Sequence, residues 1–575
     1  MHQKIFLLCI LSFSGLGQSE DFSVANIIPA DIIFIGDNII TMENDRHPVD
    51  GVAVRGEEIV AVGSADLIRR YRGDTTRVIE LGDHTLLPGF VDAHGHFSAT
   101  ARLIDFVNLS APPVGTVNNI VDIISVLKRH VAGLQTPIDD WVVGYGYDDS
   151  LLAEKRHPTR DDLDKISKQY PIVLMHVSGH FAAMNTHALR QLGINADTPN
   201  PKGGVIRRHD EDSEPNGVFE ESAASAVLIR QLGQLTGDRF VQLTRQAVNQ
   251  YASYGITTVQ DGAIIPSDLQ ILKKAALAEP YALDIGTYIY STALTDEGYR
   301  KFLSEAEYTG GIRKIGVKFS LDGSPQGRTA WMTEPYIKGP PGAKAGYVAY
   351  PTAEPKYYIS RVADLIQHDI PVLVHANGDA AIDLMIEGVA KALKDFPKPN
   401  HRSVIIHAQL MREDQLKKAA ELGIVTSFFS AHTFFWGDWH ITSFGERRAK
   451  NISPTRWAIN QGVKFTLHND APIVPPDMMR LLWATVMRAT RSGYILGPHQ
   501  RLTVNEALYA MTLGGAYQSF EEDRKGSLRV GKQADLVVLD VNPLRVKPEE
   551  LKDIKIIETF SRGRSVYQNL ERILK

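Results

Sequence analysis

One alternation governs what this chain can fold into. Short apolar runs, each ending at or near a polar residue, take turns with stretches of helical spacing. The runs include Gly255-Ile256-Thr257-Thr258-Val259-Gln260, Ile315-Gly316-Val317-Lys318-Phe319, Pro371-Val372-Leu373-Val374-His375, Ser403-Val404-Ile405-Ile406-His407, Ile424–Phe428 and Val463-Lys464-Phe465-Thr466-Leu467-His468. Nearly continuous apolar character is what a strand buried on both faces requires. Helical stretches such as Tyr358–His368 and Arg412–Leu422 separate several of the runs. Parallel strands need crossover connections, so the pattern predicts βα units closed into a (β/α)8 TIM barrel. A doubly wound sheet is the competing fold. No Gly-x-Gly-x-x-Gly turn follows an early strand to favour it.

The two ends of the chain read differently. Asp31–Gly36, Gly51–Gly56 and Glu57–Gly63 are β-branched runs bounded by glycine, and Ala534–Asp540 and Ile554–Phe560 have the same character. Such short strands cannot bury a face alone. They are expected to pair into one composite β-sandwich from residues 20–88 and 522–575, around a barrel spanning 89–521. Residues from about 100 to 250 break the βα spacing with charged loops such as Arg207–Glu214. They read as a cap inserted after the first barrel strand.

The first 19 residues read as a signal peptide. Lys4 is followed by the apolar run Ile5–Leu11 and by small residues near Gly17 and Ser19. That run is too short to span a bilayer. The single cysteine, Cys9, falls inside it, so the mature chain holds no disulfide. A periplasmic or secreted enzyme with no transmembrane segment is expected. The net charge of −5 and the lack of a long basic block give no reason to expect a nucleic-acid partner. The chain is compatible with a homo-oligomer acting on a small molecule.

Barrel chemistry sits at the C-terminal ends of strands. The segment Leu86–Val91 leads into Asp92-Ala93-His94-Gly95-His96. Residues i and i+2 of a strand face the same side, so His94 and His96 aim two imidazoles at one point. Further polar residues at strand ends are Lys318, His375, His407 and Asp470. Four imidazoles and one carboxylate suit one or two divalent ions such as zinc, which takes His nitrogens; with one cysteine in the chain, a site here must use His, carboxylate or modified Lys and not thiolate. Lys318 has two readings. It is neutral or carboxylated beside the ions, or it reaches solvent or pairs with Asp322.

These motifs together resemble the amidohydrolase superfamily, in its family-3 branch. The resemblance rests on Pro88–His96, on Lys318-Phe319-Ser320-Leu321-Asp322-Gly323-Ser324 with Thr329-Ala330, and on His375-Ala376-Asn377-Gly378-Asp379-Ala380-Ala381. His407, His468-Asn469-Asp470-Ala471-Pro472 and Lys525–Leu536 complete it. It implies that His94, His96 and Asp470 hold one ion and His375 and His407 a second, with carboxylated Lys318 bridging. It also implies Asp470 as the proton shuttle in hydrolysis of an amide, formamide or cyclic amide by metal-activated hydroxide. Deamination or lactone hydrolysis would use the same site, and a non-catalytic scaffold is the remote alternative. His180, His432 and Trp436 are candidates for the substrate pocket. Packing of the loops that carry them is the competing reading for each.

Overall fold

A computed structural model describes residues 27–43, 48–134, 141–179, 181–201, 204–209, 211–232, 237–340 and 342–570. The expected signal peptide, with Cys9, lies outside the described residues, as does His180.

The centre is a curled sheet of eight parallel strands. Along the chain they are β1 (Phe90–Val91), β2 (Ile256–Ile264), β3 (Asp284–Tyr290), β4 (Ile312–Ser320), β5 (Val372–Ala376), β6 (Val404–His407), β7 (Val425–Phe428) and β8 (Phe465–Leu467). Each pairs in parallel with its sequence neighbour. The sheet curls until the segments that follow its first and last strands meet. Just past the strand ends, Asp470 N donates to His94 O at 3.1 Å and His96 N donates to Ala471 O at 2.7 Å. The alternation of buried runs and helices therefore gives the TIM-like α/β architecture expected.

The helices between strands carry local signals of their own. Pro355–Gln367 starts with proline, whose missing N–H is an orphan there in any case, and Glu354 caps Tyr357 N. Glu413–Leu422 ends at Gly423, which takes the left-handed conformation (φ 72°) that closes the last turn.

Two four-stranded sheets flank the barrel. One joins Ile32–Ile35, Gly51–Arg55, Glu58–Gly63 and Arg77–Glu80; the other joins Thr85–Pro88, Leu536–Leu539, Ile556–Ser561 and Arg564–Gln568. The sheets share one apolar cluster, with Phe34, Val52 and Val54 against Leu86, Leu536, Val538 and Phe560. Phe34 and Phe560 meet edge to face, 5.3 Å between ring centroids. The strand Thr85–Pro88 passes through Gly89 straight into β1. A side chain at Gly89 would collide with Thr257 of β2, so glycine is what lets these sheets join the barrel wall.

A further six-stranded sheet lies between β1 and β2 in sequence. Its order is Gly204–Arg208, Pro215–Glu221, Phe181–Met184, Ile172–His176, Val142–Tyr147 and Val107–Asn108. It has apolar clusters of its own. The helix Gly237–Ser253 follows it and buries Phe240, Leu243 and Tyr251 in the barrel's cluster.

Candidate metal centre and cavity

The strand-end residues converge. His94 is fully buried, and its Nδ1 lies 2.9 Å from Gln260 Oε1 on β2. With that oxygen as acceptor the ring proton sits on Nδ1. Nε2 is left facing Lys318 Nζ at 2.9 Å and Asp470 Oδ1 at 3.5 Å. His96 Nε2 lies 3.3 Å from the same Asp470 oxygen. Gly262 of β2 makes this packing possible, because a Cβ there would stand 2.5 Å from His94 Nδ1.

The second group of imidazoles runs across β5, β6 and β8. His375 Nδ1 and His407 Nε2 are 3.1 Å apart, as are His407 Nδ1 and His468 Nε2. The ring centroids of His94 and His407 are 5.7 Å apart, so the two groups are one site. His407 and Asp470 both have positive φ, 75° and 57°. Non-glycine residues rarely adopt this conformation, and it clusters where surrounding structure fixes a functional side chain.

Burial sets the charge state. Desolvation holds His94, His407 and His468 well below the ordinary imidazole value, and Lys318 and neighbouring imidazoles add repulsion. They are neutral at pH 7, with lone pairs free to serve as donors. Burial likewise pulls Lys318, 3% exposed, down to about 7, against the attraction of Asp470. Its ordinary alternative, pairing with Asp322, is not what the structure shows. Asp322 instead accepts from Trp331 N, Asn377 N and Gly378 N at 3.0, 3.0 and 2.7 Å, and approaches His375 Nε2 at 3.4 Å. Burial pushes its carboxyl up to about 7.

These residues fit a cation. Donor atoms of His94, His407 and Asp470 all lie within 4.8 Å of one another. Asp470 Oδ1 is buried and accepts no hydrogen bond among the described residues. A buried carboxylate oxygen left unsatisfied among neutral imidazoles is costly unless a positive ion completes it.

A cavity of about 740 Å³ opens beside the centre. His96, Ala471 and Pro472 line it together with Tyr145, Asp148, His176, Tyr254, Trp436 and Arg491. Trp436 thus stands on the cavity wall, and its Nε1 donates to Asp148 Oδ2 at 3.2 Å. His432 does not stand there. It lies behind Phe429 (ring centroids 4.6 Å), with its Nδ1 3.0 Å from His440 Nε2. The neighbours of His180, Gly179 and Val177, line the cavity.

Sequence reasoning missed His468, Gln260 and the buried role of Asp322. His468 ends a strand as His407 does, and that position was the available signal. Gln260 also ends an apolar run, but an amide announces no metal chemistry.

Residues 77–567 match the model of the Amidohydrolase family. The chain belongs to the amidohydrolase family. It is an enzyme of the metal-dependent amidohydrolase class, acting on carbon–nitrogen bonds. It is similar to the N-substituted formamide deformylase of Arthrobacter pascens, 28% identical over 93% of this chain and 97% of that protein. It is also similar to the putative amidohydrolase YtcJ of Bacillus subtilis, 26% identical over 93% of this chain and 99% of that one. Among solved structures, an uncharacterized metal-dependent hydrolase from Pyrococcus furiosus superimposes with a TM-score of 0.70. It shares 24% identity and covers 89% of this chain and 100% of its own. An adenosine deaminase from Xanthomonas campestris with bound zinc shares the fold at a TM-score of 0.53 and 14% identity, over 94% and 93% of the two chains.

Proposed function

We propose that this amidohydrolase cleaves the C–N bond of a small amide or formamide whose substituent occupies the cavity beside His96. The observation that carries the reading is the buried, unsatisfied Asp470 Oδ1, within 3.3 and 3.5 Å of His96 and His94. His94, His96 and Asp470 would hold one divalent ion, with zinc preferred, and His375 and His407 a second. Bound there, such an ion lowers the pKa of water towards neutrality and polarises a carbonyl.

The protein's own residues do the rest. Gln260 fixes the His94 tautomer, and so aims the lone pair of Nε2 into the site. Burial lowers Lys318 to about 7, so a substantial fraction of it is a neutral amine at physiological pH. A neutral amine adds to carbon dioxide, forming an N–C bond and releasing one proton, to give an anionic carbamate. That would replace an ammonium that ions repel with an anionic oxygen donor, and we assign Lys318 this carbamate form, in which it would help hold the ions. Asp470 takes the proton from the attacking water and delivers it to the departing nitrogen, first base and then acid. The cavity's aromatic and aliphatic wall holds the substituent away from water.

The reading extends to the rest of the chain. The two four-stranded sheets form one β-sandwich, the six-stranded sheet caps the cavity, and residues 1–19 direct export to the periplasm or beyond. No helix among the described residues is long and apolar enough to cross a membrane.

The test joins metal analysis of protein purified without chelator to a panel of formamides, amides, cyclic amides and lactones. One or two ions per chain and preferred turnover of the first two classes are expected. Full activity in metal-free protein, or in a His94→Ala, His96→Ala double variant, would overturn it.

A further inference from the structure

The cavity carries a cation that the chemistry of the metal centre does not use. Arg491 lines the wall shared with His96 and Trp436. Its Nε donates to Phe435 O at 3.2 Å and its Nη1 to Pro112 O, which ties the barrel to the inserted sheet's segment. Its guanidinium lies 5.3 and 5.4 Å from the rings of Phe434 and Phe435. The group is therefore held in one orientation by two backbone carbonyls and two aromatic rings. A guanidinium carries five N–H donors, so these contacts leave several uncommitted. The acids that act on it, Asp148 and Asp438, do so at a distance and not through a hydrogen bond.

The nearby acids are already engaged. Asp148 Oδ1 accepts from Ser150 N at 2.9 Å and Ser150 Oγ at 2.6 Å, and Oδ2 accepts from Trp436 Nε1. Asp149 takes a hydrogen bond from His176 Nε2 at 3.0 Å. Ser178 N donates to His176 Nδ1, so the proton of that ring is on Nε2. His176 is a donor to Asp149 and not a free metal ligand, which argues against an ion between Asp148, Asp149 and His176. Asp438 accepts from Thr490 Oγ1, Ser492 N and Ser492 Oγ at 2.8, 3.0 and 2.6 Å. Burial works against the charge on Arg491 and Arg480 adds repulsion, while Asp148 and Asp438 offset these only in part.

A partly desolvated, immobilised guanidinium with donors to spare, on the wall of an apolar cavity, is a fixed receptor for an oxyanion. We propose that Arg491 is a specificity-determining residue that binds a carboxylate on the substituent of the substrate, distal to the scissile C–N bond. The inference rests on the hydrolytic reading above and deepens it. The enzyme selects acyl- or formylamines whose amine half ends in an acid, over neutral or cationic analogues of equal length.

Three formamides of matched chain length test this on the metal-loaded enzyme: N-formyl aminovalerate, N-formyl pentylamine and mono-N-formyl cadaverine. The expected result is a kcat/KM higher for the carboxylate by about tenfold or more, the worth of one charge-assisted hydrogen bond, expressed mainly in KM. Arg491→Met should collapse that ratio towards unity, Arg491→Lys should keep part of it, and Arg491→Glu should turn the preference to the ammonium-ended compound. Thermal denaturation of each variant separates misfolding from lost recognition. Equal turnover of the three compounds by the wild type would overturn the proposal. So would a carboxylate preference that survives in Arg491→Met, since the carboxylate would then be read elsewhere. If the wild type hydrolyses none of them, the formamide reading falls first. Calorimetric binding of valerate against pentylamine, in wild type and Arg491→Met, then decides the Arg491 site alone. A wild-type preference for valerate lost in the variant supports it, and no difference refutes it.

Discussion

Replacing Gly262 by alanine is the smallest change that probes the candidate metal centre, because it adds one methyl group and removes no donor atom. A Cβ at this position would stand 2.5 Å from His94 Nδ1, nearer still to Cε1, and 3.1 Å from Gly95 O. Ordinary non-bonded contact begins near 3.5 Å, so the ring must retreat by about 1 Å. It has nowhere to retreat without loss. Gln260 holds Nδ1 on one edge, and Lys318 and Asp470 face Nε2 on the other. A shift of this size at a ligand breaks the Gln260 bond and misplaces the donor atom. Misplacement of about 1 Å near the chemistry costs roughly 100-fold in rate, while overpacking costs about 1–3 kcal/mol of stability. Gly262→Ala should therefore fold, lose metal on dialysis against a weak chelator, and retain about 1% of wild-type kcat/KM. Metal content by mass spectrometry, circular dichroism and turnover measure the three quantities. A variant with full metal and full activity would show that His94 is not held as described.

Two other outcomes follow from the same site. Lys318→Ala should lose at least one ion and most activity, and small carboxylic acids should restore part of both by supplying the missing oxygen ligand; metal analysis with and without acetate reads this directly. The metal-free protein should lose stability as pH falls below about 6.5. His94, His407 and His468 are depressed in the folded state, so the unfolded chain takes up their protons first, each adding a slope of about 1.4 kcal/mol per pH unit. Asp92 and Asp322, raised to about 7 by burial, act oppositely between about pH 4 and 7, since the folded state holds their protons longer. Among the described residues eight histidines are depressed and five aspartates raised, so the net sign favours acid destabilisation, and a Tm that rises from pH 7 to pH 5 would contradict it.

The barrel was legible because parallel strands buried on both faces leave an unmistakable apolar signature, and because a barrel places its chemistry where that signature ends. His94, His96, Lys318, His375, His407 and Asp470 were found by that logic, and the structure brings all six together. The strand Asp284–Tyr290 went unnoticed: it begins with a buried aspartate and mixes glycine, threonine and tyrosine, so it lacks the aliphatic run of its neighbours. His432 and Trp436 show the other limit. Both lie in the helix His432–Phe444, four residues apart. Only Trp436 reaches the cavity, because Phe429 stands between His432 and the metal-centre histidines. Which side of a loop-borne helix faces a pocket depends on neighbours far away in the chain. Asp148 and Arg491 belong to the cavity for the same reason, being contributed by segments more than 300 residues apart.

The seam of the barrel has a consequence for biosynthesis. His94 and His96 are made early, and Asp470 arrives after several hundred further residues; the bonds from Asp470 N to His94 O and from His96 N to Ala471 O form only when the last strand docks. No nascent or truncated chain lacking β8 has a complete set of donor atoms. Metal capture is in this sense a signal of completion. An interrupted polypeptide would lack the Asp470 carboxylate, and with it the proton shuttle and the full donor set, which only the chain that has closed possesses.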